Sequence, residues 1–176
     1  MGQEKSVFQR GAEYGLWMGL YLTAMMLCAM FYDRMPLLSV VVMVMLFAGP
    51  VVLYYTQRRT FIQEQGMTQY SALWMQGIMT MIGGALISSL MMYLALKYVR
   101  PDYIYDQATQ ALVIYKTMPE FKDGELVKLL EMMLEQNMLP TPIESVTNSF
   151  WLISFVGSIT SALTALLAQR RISPRM

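Results

Sequence analysis

Asp102 and Asp106 stand one helical turn apart beside Arg100, the best-placed pair of carboxylates for general acid–base work in this chain. The pair also has a plainer explanation, since acids in the first turn of a helix are favoured by its dipole. There is no histidine, so the usual neutral-pH proton carrier and the commonest metal ligand are both missing. Cys28, the only cysteine, lies in an apolar run and reads as a small buried filler; alone it forms neither an internal disulfide nor a thiolate cage. Nineteen methionines raise copper(I), a soft ion that thioethers bind. Met26 with Met30, and Met75 with Met79, share helix faces. No external methionine-rich tract would capture the ion, however, and methionine also packs irregular apolar gaps. No phosphate-binding glycine loop, zinc motif or nucleotide fingerprint occurs. The chain therefore offers no catalytic residue, metal site or cofactor site, and a net charge of +1 gives no field for nucleic acid.

The elements that carry these residues are apolar. Hydrophobic residues make up 56% and charged residues 14%, against roughly 45–50% and about 25% in soluble domains. The excess is gathered in charge-free runs at 14–32, 35–57, 65–96 and 145–169, and a crossing takes roughly 20 apolar residues. The third run is longer than one crossing, so its membrane part is set at Leu73 to Lys97, after an interfacial turn at Gly66. Pro50, inside the second span, removes a helix hydrogen bond and predicts a kink. Residues 57–70 read as a short connection and 100–148 as a long polar loop within one membrane domain, 1–176. In that loop Leu126, Leu129, Leu130, Met133 and Leu134 recur at helical spacing opposite Glu125, Lys128, Glu131 and Glu135. A second loop helix is predicted over 103–116, and Thr141-Pro142-Ile143-Glu144 is a capping-box start for the last span. The fold class is all-α: a four-helix transmembrane bundle with an extracytoplasmic helical hairpin between its third and fourth helices.

Lysines and arginines near span ends set the orientation. Lys5, Arg10, Arg58, Arg59, Arg170, Arg171 and Arg175 must share one face of a four-span chain, against Arg34, Lys97 and Arg100 on the other. Both termini are therefore expected in the cytoplasm, with MGQEKSVFQR a retained tail and the net-acidic loop outside. Its Met-Gly start with Ser6 matches a myristoylation pattern, which adds little to a multi-span chain.

Small residues mark the packing faces. Gly11, Gly15 and Gly19 are each four apart on the first helix, a spacing that lets a second backbone approach closely. Ser154, Ser158 and Ala162 repeat it on the last helix, and Gly84 with Ser88 on the third. Packing of the glycine row on the last helix of the same chain is the expectation, with a homodimer seam as the alternative. Glu13 and Lys97 lie near span ends and can snorkel to water. Gln76, Thr23, Thr80, Ser88 and Ser89 can satisfy themselves within the bundle. Arg58 and Arg59 on one side, and Lys97 and Arg100 on the other, could contact lipid headgroups, although topology alone explains them. Leu126, Leu130 and Met133 form an apolar stripe that the other loop helix, the membrane or a partner should cover.

One long stretch, YYTQRRTFIQEQGMTQYSALWMQGIMTMIGGALISSLMMYLALKYVRPDYI, joins a basic connection, a glycine, an aromatic entry, a small-residue helix and a Pro-Asp-Tyr step. The acidic loop and a Ser/Gly/Ala-rich last helix follow. From about Gly11 to Arg171 this pattern resembles the domain-of-unknown-function 4199 family of small Bacteroidetes membrane proteins. The resemblance implies the inner membrane of a Gram-negative cell and a gene neighbourhood shared with polyprenyl-phosphate glycosyltransferases; it brings no activity and no catalytic residue. The functional expectation is a non-enzymatic accessory or scaffold subunit whose partners are membrane lipids and a membrane-associated glycosyltransferase or a second copy of itself. The alternative is a component of polyprenyl-phosphate sugar metabolism, as a glycosyltransferase partner or a transporter of lipid-linked substrate.

Overall fold

Caps and turns decide where the helices begin and end. The Ser6 hydroxyl accepts from the Gln9 amide (3.2 Å), and the Gln9 side chain accepts from the Ser6 N–H (3.1 Å). This capping box satisfies N–H groups that a helix start otherwise leaves open, and it launches α1 (Val7–Phe31). Pro36 precedes α2 (Leu37–Gln63). Gly66, at φ 77°, returns its N–H to the Phe61 carbonyl (2.9 Å) and closes α2, a left-handed position that glycine fills without steric cost. Next come α3 (Tyr70–Leu94), a wider π-helical turn (Ala95–Val99), α4 (Tyr103–Thr117), α5 (Glu125–Glu135) and α6 (Pro142–Ala168). At the start of α6 the Thr141 N–H donates to Glu144 Oε2 (2.8 Å) and the Glu144 N–H to Thr141 Oγ1 (3.4 Å), the predicted capping box.

This computed structural model describes residues 6–118, 124–136 and 138–170, and among them every regular element is helical. Lys5, Arg171 and Arg175, used above for orientation, and Glu120, Lys122 and Asp123 of the acidic loop lie outside the described residues. Four helices are long and apolar enough to cross a membrane: α1, α2, α3 with its π turn (Tyr70–Val99), and α6. The chain is a multi-pass all-α membrane protein. Its helices outrun the charge-free runs at the ends, because capped polar turns remain helical: α2 continues past Gln57 to Gln63, and α6 starts at Pro142, three residues before the run at 145–169.

The chain divides into two compact units, Met1–Met92 with Asn148–Met176, and Tyr93–Thr147. In the first, α3 is the central helix. It buries Leu73, Gln76, Gly77, Thr80, Met81, Gly84, Ala85, Ser88 and Ser89. By contrast α2 buries only Leu53, Gln57, Thr60 and Phe61, all beyond Pro50. Pro50 leaves the Leu46 carbonyl without its amide donor. One residue earlier, the Tyr21 hydroxyl of α1 donates to the Met45 carbonyl, and α2 remains one continuous helix through Pro50. In the second unit α4 and α5 pack on each other as a helical hairpin, with Lys116 and Glu131 paired across it (2.6 Å).

Candidate functional site

The glycine row of α1 meets α3. A Cβ at Gly11 would lie 2.6 Å from Met79 Cβ, and one at Gly19 2.7 Å from Ile87 Cβ. At Gly15 the nearest atoms are Gly83 Cα and the Thr80 carbonyl oxygen, both at 3.4 Å. Gly84 faces back across the same seam, 3.2 Å from Met18 Cβ. The expected partner, α6 through Ser154, Ser158 and Ala162, is therefore corrected to α3. The reason is that α3 carries small residues on two faces, and the Gly83-Gly84 face fits the α1 glycines more closely than a row of serines could. The other face of α3 takes α6: Gly157 opens onto Met81, Trp74 Nε1 donates to the Ser158 carbonyl (3.2 Å), and the Tyr70 hydroxyl to the Ala162 carbonyl (3.3 Å).

Where α2, α3 and α6 converge, the interior is polar. Gln57 is fully buried, and its Nε2 donates toward Ser161 Oγ (3.1 Å) and the carbonyls of Ser161 and Leu73 (3.2 Å each). Ser161 Oγ passes a hydrogen bond on to the Trp74 carbonyl (2.9 Å). Gln76 Nε2 donates to Thr60 Oγ1 (3.0 Å), and Thr80 Oγ1 to the Gln76 carbonyl (2.9 Å). Gly77 lies against this cluster, with Ser161 Cβ 2.9 Å from where its own Cβ would stand. Gln57 Oε1, Ser89 Oγ and Ser154 Oγ are buried and take no hydrogen bond from a described residue. Of the polar residues expected to satisfy themselves, Thr23 (to Gly19 O, 2.7 Å), Ser88 (to Ala85 O, 3.2 Å), Gln76 and Thr80 do so, and Ser89 does not.

Helix ends on the terminal side of the first unit are clasped by charge. Glu64, just past α2, takes hydrogen bonds from Arg10 of α1 and from the Thr68 hydroxyl before α3. The Thr68 hydroxyl, and after it Arg10, hold the Glu64 carboxyl below the usual carboxylate range, against the opposing effect of burial. Gln169 Nε2 donates to the Thr68 carbonyl (3.0 Å), and Arg58 caps α6 by donating to the carbonyls of Ala168 (2.6 Å) and Arg170 (3.1 Å). Beside that cap a groove of about 480 Å³ runs between α2 and α6. Pro50, Val51, Tyr54 and Leu167 line it, and it ends on Arg58 and Arg170. Of the expected headgroup contacts, Arg58 is half-buried in this groove and Arg59 is exposed.

The second unit holds Lys97 and Arg100. Lys97 is exposed, with its ammonium over the rings of Tyr93 (5.6 Å) and Tyr98 (5.4 Å). Arg100 is half-buried and ion-paired with Asp106 (2.7 Å), so the Asp102–Asp106 pair is not a free pair of carboxylates. On α5 Val127 is buried and Leu130 and Met133 are half-buried, while Leu126, Leu129 and Met132 are each more than half exposed. The exposed apolar row is thus rotated toward Leu129 and Met132 from the stripe read in sequence. Val113 and Ile114 on α4 are exposed to a similar extent.

Sequence reasoning missed Gln57, Thr60 and Ser161 as a buried cluster, and Arg170 as the partner of Arg58. Gln57 stands where the charge-free run 35–57 meets the connection 57–70, so it does not stand out as an interior residue; the three-residue spacing of Gln57 and Thr60 is the available signal. Among the described residues no group of three or more His, Cys, Asp or Glu is placed to hold a metal ion. A family model described as "Protein of unknown function (DUF4199)" matches residues 13–170. No curated protein and no solved structure matches.

Proposed function

We propose, from the premise that this chain belongs to the DUF4199 family, that it is a non-enzymatic accessory or scaffold subunit of a membrane assembly. It resides in the inner membrane with both termini in the cytoplasm, and it offers the α4–α5 hairpin to a partner. The observation that carries this reading is the row Leu126, Leu129 and Met132, 51–53% exposed on a helix whose neighbouring side is charged. Lipid accounts for exposed leucines on a span, but α4 and α5 are not apolar or long enough to be spans. An apolar row outside the spans calls for a cover. With Glu125 and Glu135 beside it, the complementary surface is an apolar face rimmed by bases. The orientation rests on Arg10, Arg58, Arg59 and Arg170 at the ends that share a face with the termini.

A photoreactive residue placed at Leu126 or Leu129 tests the reading. The same protein should be recovered from both positions and not from Lys128 on the charged side, and Met132→Asp should abolish the adduct at Leu129. Crosslinks to lipid alone would remove the partner. Cysteine labelling of Ser6→Cys and Thr109→Cys in a Cys28→Ser background tests the orientation: Thr109 should label from outside intact cells, and external labelling of Ser6 would reverse it.

A further inference from the structure

We propose that the groove between α2 and α6 binds a single anionic phospholipid from the surrounding bilayer, with its phosphate on Arg58 and Arg170 and an acyl chain along Pro50, Val51, Tyr54 and Leu167. The first support is charge. Arg10, Arg100 and Lys116 are each paired with a carboxylate, Glu64, Asp106 and Glu131 respectively. Among the described residues no carboxylate pairs with Arg58 or Arg170. Arg58 is half-buried beside an apolar wall, its guanidinium 5.5 Å from the Phe61 ring centre, so among the described residues its charge is offset by that ring and by carbonyl dipoles and not by an anion. Its Nη1 is committed to the carbonyls that end α6. The rest of its planar fork remains to receive a phosphate, the geometry for which guanidinium is suited.

The second support is shape. Pro50 and Arg58 are eight residues apart on α2, roughly 12 Å at 1.5 Å per residue. That is less than half of the roughly 30 Å hydrocarbon thickness, so the groove spans one leaflet from its headgroup level inward. Thr164 turns its hydroxyl to its own helix, at the carbonyls of Thr160 (2.9 Å) and Ser161 (3.2 Å), which leaves the wall apolar up to the arginines. A zwitterionic lipid carries a second, positive headgroup charge that two arginines would repel; a net-negative headgroup does not. Basic pockets between spans on the cytoplasmic side hold anionic headgroups on this principle. The site is separate from the hairpin surface, and its fate does not decide that of the scaffold reading.

The test is native mass spectrometry of the delipidated full chain in mild detergent, titrated with phosphatidylglycerol and phosphatidylcholine. One phosphatidylglycerol per chain should be retained in preference to phosphatidylcholine. Arg170→Gln is the decisive variant, because its guanidinium bonds no other described residue. It should weaken phosphatidylglycerol retention about fivefold and leave phosphatidylcholine unchanged. Arg58→Gln should add a similar factor, with melting measured alongside because Arg58 also caps α6. Val51→Trp, at a half-exposed position, should fill the groove and abolish the preference without lowering the melting temperature. Equal retention of the two lipids by the parent chain, or an unchanged preference in Arg170→Gln or Val51→Trp, overturns the proposal. Displacement of the lipid by inorganic phosphate would assign the arginines to a free anion. A lipid-free dimer abolished by Val51→Trp would assign the groove to a second copy.

Discussion

Among the spans, α2 and α3 differ most in how they meet the rest of the protein. The sequence of α2 is the more hydrophobic, LLSVVVMVMLF running into Gly49-Pro50, yet from Leu37 to Val52 none of its residues is buried. The sequence of α3 is interrupted by Gln76, Gly77, Thr80, Gly83, Gly84, Ser88 and Ser89, and in its most apolar stretch 39% of residues are buried against 6% in α2. In water the order would be reversed. In a bilayer the lipid tails are as apolar as leucine, so a leucine gains little by moving inward, and close backbone approach and hydrogen bonds decide what packs inside. In this chain hydrophobicity marks the helix that faces lipid, and smallness with polarity marks the one that does not.

Glycine substitutions should separate the two helices most sharply. Gly77 of α3 faces Ser161 and the Gln57 amide, so even Gly77→Ala must displace a backbone or break the cluster. Overpacking and loss of buried hydrogen bonds together should cost roughly 2–4 kcal/mol. Gly49 of α2 has only Tyr21 Cε1 at 4.0 Å. Gly49→Ala should be neutral or should stabilise by up to about 1 kcal/mol, the usual gain in helix propensity. Thermal aggregation of the two variants in detergent reads the difference; equal melting temperatures would remove the distinction between α2 and α3.

The α1–α3 seam gives the next largest effect. Gly15 and Gly83 bring their backbones together, so Gly15→Leu should cost about 1–3 kcal/mol. The neighbouring Leu16, 54% exposed, should tolerate alanine within about 0.5 kcal/mol. If Gly15→Leu melts like the parent but changes oligomeric size, the row serves a homodimer seam instead.

Much of this arrangement is legible in the sequence. Apolar run lengths locate four spans, the Thr141–Glu144 capping box starts α6, and the spacing of Leu126 to Leu134 outlines α5. The small-residue spacing identifies the faces that pack. What it leaves open is which small face meets which, because Gly11, Gly15 and Gly19 are sterically compatible with either α3 or α6, and only the depth and rotation of each helix choose. The Gln57–Ser161 cluster is obscured for a related reason: the two residues lie 104 positions apart, Gln57 alone resembles a span end, and Ser161 alone is one more small residue within the last span. Arg58 and Arg170 likewise look like topology signals until they meet at one groove.

Gln57 measures how much of the central packing is polar. Gln57→Leu removes its donors to Ser161 and Leu73, but it also removes the unpartnered Oε1. Interhelical polar contacts in membranes average about 0.6 kcal/mol, so the expected loss is about 0.5–1 kcal/mol. Thr56→Ala, which deletes only a bond to its own helix at Leu53, should change stability less. A loss above that of Gly15→Leu would mean that hydrogen bonding, rather than close approach, holds α3 at the centre.

The smallest effect lies in the loop that joins α2 to α3, where the Glu64 carboxylate is held by Thr68 and Arg10. Its carboxyl sits below the ordinary value, first because of the Thr68 hydroxyl and then because of Arg10. The sign follows from which state takes up the proton first. At neutral pH Glu64 is ionised in both folded and unfolded chains, and its bonds contribute in full. As pH falls below about 4.3, the ordinary glutamate value, the unfolded chain protonates first and the contribution begins to fade; it is gone once the lower folded value is passed. The carboxylate is 35% exposed, so solvent screening keeps the whole term to about 0.5 kcal/mol. Glu64→Gln should therefore melt slightly below the parent at about pH 7, by a margin that narrows as pH falls below about 4.3. A gap of constant size as pH falls would mean that the clasp acts through shape rather than charge, and that the buried Gln57, Thr60 and Phe61, with Arg58 on the end of α6, are what anchor this end of α2.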